Sequence, residues 1–117
     1  MQIADIKSRV ILLKRIIPDY HQAYKERLRL RVRRDIFESH PSSESALSNI
    51  KIEISLLDKR LDELEKEVNQ LGGAIRGEGV VYFLSQREGR KIFVQWCLPD
   101  QMSWHEIGET FLERVPL

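Results

Sequence analysis

Three consecutive side chains near the C-terminus could carry chemistry: Trp104, His105 and Glu106. Histidine titrates near neutral pH, and a neighbouring carboxylate can orient it or act as a base. If this stretch is helical, His105 and Glu109 lie four residues apart and form a candidate metal pair that needs further ligands. The alternative is a capping box, in which Ser103 begins a helix and Glu106 closes on the backbone. We favour the cap, because it needs only local spacing.

Two arginines, Arg90 and Arg114, could bind an anion beside that stretch. A planar guanidinium pairs well with a carboxylate or a phosphate. The alternative, which we favour, is a pair of structural ion pairs to Glu106 or Glu109. The candidate ligand-binding site therefore comprises Arg90, Trp104, His105, Glu106 and Arg114. It supports a hypothesis of a metal-binding, small-ligand-binding or enzymatic function, and the sequence indicates no particular cofactor.

A strongly basic segment lies between residues 25 and 34. Six of its ten residues are basic: Lys25, Arg27, Arg29, Arg31, Arg33 and Arg34. The segment is either a solvated helical face neutralised by a second helix, or a contact surface for phosphates or for acidic patches of a partner. In an antiparallel hairpin that turns near Pro41, it lies opposite residues 48–57, where Glu53 is the only acid. We therefore expect this half of the hairpin to be basic and poorly compensated.

Helices have to position these residues, and the clearest helical pattern runs from residue 47 to residue 71. Apolar residues fill both core positions of nearly four heptads: Leu47, Ile50, Ile54, Leu57, Leu61, Leu64, Val68 and Leu71. This pattern indicates a helix that packs along its length against another helix. Ile52 and Leu56 lie off this seam and would be exposed in a monomer, which favours self-association.

The preceding region, residues 3–39, is the expected partner helix. Its apolar residues keep heptad spacing at first, but arginines then take the core positions and the apolar residues move to Leu28, Val32 and Ile36. This change predicts a four-residue slip of register. Pro18 either bends one helix or divides two, and the sequence leaves both alternatives open.

A short turn over residues 39–44 connects the two helical regions. Ser42 or Ser43 can cap the second helix, and the pair Gly72-Gly73 supplies the left-handed residue that ends it. A short turn between two long apolar-striped helices predicts an antiparallel hairpin.

The apolar period changes from helical to alternating after residue 79. Residues 79–85 and 91–98 are rich in β-branched and aromatic side chains, which predicts a β-hairpin with Gly89 at the positive-φ position of its turn. Residues 69–79, with four glycines, are expected to form a loop. One face of the second strand is expected to pack on the helices: Ile92, Val94 and Trp96.

Helical spacing of apolar residues predicts a short terminal helix from Trp104 to about Arg114. The expected fold class is α+β, with a long antiparallel, coiled-coil-like helical hairpin followed by a small β-hairpin and a short C-terminal helix. A length of 117 residues predicts a single domain, in which residues 1–71 form the helical hairpin and residues 72–117 form a cap.

Composition narrows the function classes. The formal net charge of +1 gives no global signature of a nucleic-acid or membrane binder, and the single Cys97 fits a reducing compartment. No signal peptide or transmembrane segment is visible, so we expect a cytoplasmic protein.

A set of glycine, aromatic and charged positions in the C-terminal third forms a recognisable pattern: Gly79, Val81, Phe83, Gly89, Arg90, Trp96, Trp104, His105, Glu106, Phe111, Arg114 and Pro116. In these positions the chain resembles a known bacterial family, the domain of unknown function 2203. The family has a helical, coiled-coil-like N-terminal part, so the resemblance implies the same architecture here. Tyr82 stands where the family usually has Asp, and Gln95 where it usually has Cys. The resemblance implies a fold and carries no activity.

The favoured functional hypothesis is a non-enzymatic structural or interaction protein that forms a homodimer or higher oligomer through its helical hairpin. Its basis is the sustained heptad pattern in a chain without a strong catalytic motif. The first alternative is a nucleic-acid-binding module that uses residues 25–34, and the second is the ligand or metal site around Arg90 and residues 104–106.

Overall fold

The computed structural model describes residues 1–40, 44–107 and 115–116, without the side chains of the last two. Its elements are the helices α1 (Ile3–Glu38) and α2 (Glu44–Gln70) and the strands β1 (Ala74–Arg76), β2 (Val80–Arg87), β3 (Arg90–Cys97), β4 (Gln101–Glu106) and β5 (Val115–Pro116). The predicted α+β class is therefore confirmed. Neither described helix has an apolar stretch long enough to cross a membrane.

Helix α1 is continuous through Pro18, so the alternative of two separate helices is wrong. The proline side chain is exposed, so its ring lies away from the packed side of the helix, and its missing N–H removes one helical hydrogen bond there. Leu13, Ile17 and Tyr20 are buried on the other side, and their packing holds the helix together across this position.

The two helices run antiparallel, as predicted. Among the described residues, four ion pairs connect them along their length: Glu38–Lys51, Arg31–Asp58, Arg27–Asp58 and Asp19–Arg60. Residue numbers fall on α1 as they rise on α2, which is the signature of a hairpin. The predicted caps at Ser42 and Ser43 lie outside the described residues.

Helix α2 ends at a glycine in the left-handed conformation. Gly72 has φ +88°, and its N–H donates to the carbonyl of Asn69 at 3.0 Å. The N–H of Gly73 donates to the carbonyl of Val68 at 3.2 Å. This pair of bonds is a Schellman motif, which satisfies the last helical carbonyls and turns the chain toward the sheet.

The strands form an antiparallel sheet in the order β1-β2-β3-β4-β5. The predicted β-hairpin corresponds to β2 and β3, but the predicted loop over residues 69–79 is wrong in part, because it contains β1. This edge strand pairs only Ala74–Arg76 with Val80–Tyr82. A strand of three residues between glycines is too short to show an alternating pattern.

The predicted helix beginning at Trp104 is also wrong over its first turn. Trp104, His105 and Glu106 belong to β4, where they pair with Val94, Phe93 and Ile92 of β3. Without β4, one edge of β3 would expose a row of unpaired backbone N–H and C=O groups. Pairing with β3 therefore outweighs the local capping-box spacing that favours a helix. The rest of that prediction, residues 108–114, lies outside the described part of the chain.

One face of the sheet packs against the helices, as predicted for β3. Ile92, Val94 and Trp96 are each 0–1% exposed and belong to the main hydrophobic cluster. The buried members of this cluster on α1 extend as far as Ala23, and those on α2 begin at Leu61.

The remainder of the hairpin has a separate and smaller core. Leu30, Ile50 and Ile54 form a second cluster, with Phe37 and Leu57 packed against it. All five of these residues belong to the two helices. We call residues 25–38 and 44–57 the distal half of the hairpin, which extends beyond the sheet in a molecule 62 Å long.

Candidate functional site

The predicted ligand site is divided between the two faces of the sheet. Side chains alternate along a strand, so Trp104 and Glu106 lie on one face of β4 and His105 lies on the other. Arg90 Nη1 donates to Glu106 Oε1 at 2.9 Å, which is the structural ion pair that the sequence favoured. Arg87 stacks over the Trp104 ring with its guanidinium carbon 4.9 Å from the ring centre. These four side chains lie on the face that also carries Ile92 and Val94.

His105 lies on the outer face of the sheet, among aromatic side chains. Its ring centre is 5.5 Å from that of Phe93 and 6.3 Å from that of Tyr82, and the residue is only 3% exposed. These rings line a cleft of about 620 Å³, together with Leu84 and Arg76. The arrangement is a mainly apolar wall with one guanidinium at its edge.

The sequence did not identify Tyr82, Phe93 and Arg76 as neighbours of His105. One available signal was the alternation of β2 and β3, which places Tyr82 and Phe93 opposite the buried positions. Aromatic residues at outward positions of a sheet indicate a covered or binding face rather than a purely solvated one.

The candidate metal pair His105 and Glu109 depended on a four-residue spacing along a helix. His105 lies in a strand, so that spacing no longer places the two residues together. Glu109 and Arg114 lie outside the described residues. Among the residues that the structure describes, no three His, Cys, Asp or Glu side chains are grouped so as to hold a metal ion.

The basic segment is better compensated than the sequence predicted. Arg27 Nη1 lies 2.9 Å from Asp58 Oδ1, and Arg31 Nη2 lies 3.8 Å from the same oxygen. The predicted register assigned Asp58 to an earlier part of α1, but long arginine side chains reach it from both positions. This corrects the expectation that Glu53 is the only acid facing the segment.

Acids within α1 neutralise two further arginines. Arg29 donates to the Glu26 carboxylate, and this bond holds the pKa of Glu26 below its usual value. Arg34 Nε lies 3.4 Å from Asp35 Oδ1. The predicted shortage of acids applies only to the opposite helix, whereas Glu26 and Asp35 lie on the same helix as the arginines that they neutralise.

Lys25 and Arg33 have no carboxylate within 4 Å among the described residues. Arg33 instead stacks against Phe37, with its guanidinium carbon 5.9 Å from the ring centre. Together with Arg29, these two residues form an exposed row at four-residue spacing on α1, which we call the basic ridge.

The apolar residues of the distal half lie on its outside. Leu28, Val32 and Ile36 are 52%, 54% and 55% exposed, while Leu30 is 1% exposed and faces α2. The predicted register slip onto these three residues is therefore wrong. The helix keeps Leu30 and the half-buried Arg27, Arg31 and Arg34 toward α2 and leaves the other apolar residues, which we call the α1 row, facing away.

Helix α2 has a matching exposed pair. Ile52 and Leu56 are 57% and 63% exposed, which confirms their predicted exposure in a single chain. We call them the α2 row. Ile50 and Ile54, their neighbours along the helix, are buried against α1.

Comparison with known proteins gives a family without an assigned activity. A family model described as "Uncharacterized conserved protein (DUF2203)" matches residues 2–117. No curated protein and no solved structure matches the chain. The match includes the helical hairpin as well as the C-terminal third.

Proposed function

The chain belongs to the DUF2203 family of uncharacterized conserved proteins, and from the geometry of its distal half we propose that it is a non-enzymatic interaction module that associates with further copies of itself. The site of this association is the part of the hairpin that extends beyond the sheet.

One observation carries the proposal: five large apolar side chains on the distal half are each more than half exposed. They are Leu28, Val32, Ile36, Ile52 and Leu56. Scattered exposed apolar residues are ordinary, but these are ordered in two rows on a segment with a small core. Covering the exposed half of one such side chain contributes roughly 1 kcal/mol.

The burial pattern supports association over a purely internal role for these residues. Leu30, Ile50 and Ile54 already fill the space between the two helices, so the α1 row and the α2 row have no place in the hairpin core. Rows of this kind stabilise a protein only when another surface covers them.

The proposal is tested by placing a charge in one row. Val32→Asp is expected to lower the average mass of the chain in solution, because a carboxylate in a desolvated apolar contact is costly. Ile11→Asp is the matched control, since Ile11 is 66% exposed on the same helix but lies outside the distal half. Light scattering after gel filtration measures the mass of each variant. Equal masses for wild type and Val32→Asp at every concentration would contradict the proposal.

A second candidate function is nucleic-acid binding through the basic ridge. Lys25 and Arg33 are exposed and have no carboxylate within 4 Å among the residues described, so they are free to contact phosphates. Arg33→Glu is expected to abolish binding of a fluorescent duplex oligonucleotide, and binding to the wild type is expected to weaken steeply with added salt. Binding that is insensitive to salt, or unchanged in Arg33→Glu, would eliminate this candidate.

A further inference from the structure

The cleft beside His105 is built on four strands of the sheet. The strand register places Leu84, Phe93 and His105 side by side, because Leu84 pairs with Phe93 and Phe93 pairs with His105. Tyr82 lies two residues from Leu84 on the same face of β2, and Ala74 of β1 pairs with it. Regular strand pairing therefore fixes the positions of these side chains, which is the condition for a preformed small-molecule site.

The aromatic rings of the cleft form a corner rather than a flat stack. The Tyr82 ring is nearly perpendicular to those of Phe93 and His105, at interplanar angles of 86° and 83°, and its centre is 6.3 Å from each of theirs. A planar aromatic ligand can then contact one ring by its face and another by its edge, which are the arrangements that aromatic pairs prefer. A saturated chain gains only from the burial of apolar surface. The cleft therefore favours an aromatic ligand.

One cation borders this apolar corner. Among the described residues that line the cleft, Arg76 is the only lysine, arginine, aspartate or glutamate. Its Nη1 donates to the carbonyl of Ile75 at 3.1 Å, and it has no carboxylate within 4 Å in the part of the chain that the structure describes. A guanidinium has five N–H donors, so most of them remain for a ligand, and their planar arrangement matches a carboxylate.

The size and charge of the cleft argue against other classes of ligand. Its volume of about 620 Å³ is typical of small-molecule sites. A polyphosphate needs several cations or a bound metal ion, whereas the described lining supplies one guanidinium. A metal ion needs at least three protein ligands, and the same lining contains one imidazole and no Cys, Asp or Glu side chain.

We infer that this cleft binds a small aromatic carboxylate, with the ligand ring against Tyr82 and Phe93 and the carboxylate on Arg76. The site lies on the sheet, and the rows that support the proposed self-association lie on the distal half of the hairpin. Ligand binding and self-association are therefore separate properties of the chain, and each can be tested without the other.

The first experiment titrates the full chain with 1-naphthoate and follows backbone amide shifts by NMR. Saturable shifts are expected at Tyr82, Leu84 and Phe93. The neutral 1-naphthamide has nearly the same shape and should bind about tenfold more weakly, because it forms no charge-assisted pair. Octanoate should also bind more weakly, because it keeps the charge but has no ring. An absence of saturable shifts at these residues with about 1 mM naphthoate, or octanoate binding as tight as that of naphthoate, would refute the inference.

Two substitutions separate the role of the charge from that of the rings. Arg76→Gln should weaken naphthoate binding about tenfold and leave naphthamide binding unchanged, because only the charged pair is lost. Arg15→Gln is the matched control, since Arg15 is exposed on α1 and does not line the cleft. Phe93→Leu keeps an apolar side chain but should reduce the preference for naphthoate over octanoate. Equal naphthoate affinities of Arg76→Gln and Arg15→Gln would overturn the assignment of the carboxylate to Arg76.

The exposed rows of the distal half are the other apolar surface that naphthoate could contact. Val32→Asp changes the α1 row and lies outside the cleft, so it should bind naphthoate as the wild type does. Unchanged far-UV circular dichroism checks that each variant folds. Loss of naphthoate binding in Val32→Asp, or shifts confined to the two rows, would place the ligand on the distal half and contradict a site in the cleft.

Discussion

At the scale of single residues, Asp100 connects the turn before β4 to the core of the sheet and to α1. Its Oδ1 accepts a hydrogen bond from Trp96 Nε1 at 2.9 Å, and its Oδ2 lies 2.9 Å from Lys14 Nζ. The bond from Trp96 and then the bond from Lys14 hold the pKa of this carboxyl below its ordinary value of 3.8. The indole N–H of a fully buried tryptophan needs such an acceptor, so the carboxylate fixes the ring as well as the turn.

The lowered pKa of Asp100 makes its contribution to stability dependent on pH. A carboxyl whose folded pKa lies below its unfolded pKa stabilises the fold above the unfolded value of 3.8, and this contribution is lost as pH falls through the folded pKa. Asp100→Asn is therefore expected to melt at a lower temperature than wild type near neutral pH, with a difference that shrinks below about pH 4. Thermal unfolding followed by tryptophan fluorescence measures it. A difference that stays constant into the acid range would show that the ionised form is not what stabilises the turn.

Residue-scale prediction from the sequence succeeded where a contact depended on charge alone. The ion pair between Arg90 and Glu106 is the alternative that the sequence favoured. It forms between opposite charges on adjacent strands and requires no unusual backbone conformation. The neighbours of His105 could not be predicted in the same way, because they depend on which face of a strand it occupies. A helix over residues 104–106 would bring His105 and Glu106 to adjacent positions of one surface, whereas the strand puts them on opposite faces of the sheet.

At the scale of elements, the turn between β2 and β3 shows how local chemistry sets a register. Arg87 pairs with Arg90, which leaves a two-residue loop of Glu88 and Gly89 with φ values of +52° and +76°. A two-residue turn of this kind needs positive φ at both positions, which glycine adopts freely and glutamate adopts at a cost. The sequence predicted the role of Gly89 but gave no reason to expect the strain at Glu88.

Two substitutions in this turn are expected to act in opposite directions. Glu88→Asn should raise the free energy of unfolding by about 0.5–1 kcal/mol, because asparagine tolerates positive φ. Gly89→Ala should lower it by about 1–2 kcal/mol, since an added Cβ meets no atom within 4 Å and only the backbone conformation opposes it. Denaturant unfolding measures both. Changes of the same sign would contradict a turn with two residues of positive φ.

The register of the distal half is tested by a pair of leucines on the same helix. Leu30→Ala is expected to lower the free energy of unfolding by about 2–5 kcal/mol, because Leu30 is buried against α2. Leu28→Ala is expected to change it by less than about 0.5 kcal/mol, because Leu28 is 52% exposed. Denaturant unfolding should be measured at the lowest workable protein concentration, where association contributes least to the free energy of unfolding. Similar losses for both variants would indicate that the helix is rotated from the position described here.

The elements that the sequence predicted correctly have long or locally determined patterns, and those it missed do not. Nearly four heptads specify α2, and Gly72 and Gly89 specify two turns through their backbone conformation. Strand β1 is too short for a periodic pattern, and β4 depends on the unpaired edge of β3, which no local spacing reveals. Apolar spacing alone predicts the α1 row at the contact with α2, but Arg27 and Arg31 occupy that contact instead, because both pair with Asp58 of α2.

At the scale of the whole molecule, the two halves of the hairpin differ in what they pack against: one half packs on the sheet, and the distal half extends beyond it. The half near the sheet contributes to the main cluster, in which residues such as Leu13, Val68 and Trp96 are fully buried. The distal half has three buried residues in its own cluster and five large apolar side chains exposed. A segment that functions alone rarely leaves this much of its apolar surface exposed. Association with another surface would bury the exposed rows.

The most direct test of this account is sedimentation equilibrium of the untagged wild-type chain over a wide concentration range, from about 1 to about 200 µM. The account predicts a weight-average mass that begins near 13.8 kDa and rises with concentration, and it predicts that Val32→Asp stays at the lower value throughout. A wild-type mass that remains at 13.8 kDa across the whole range would contradict it.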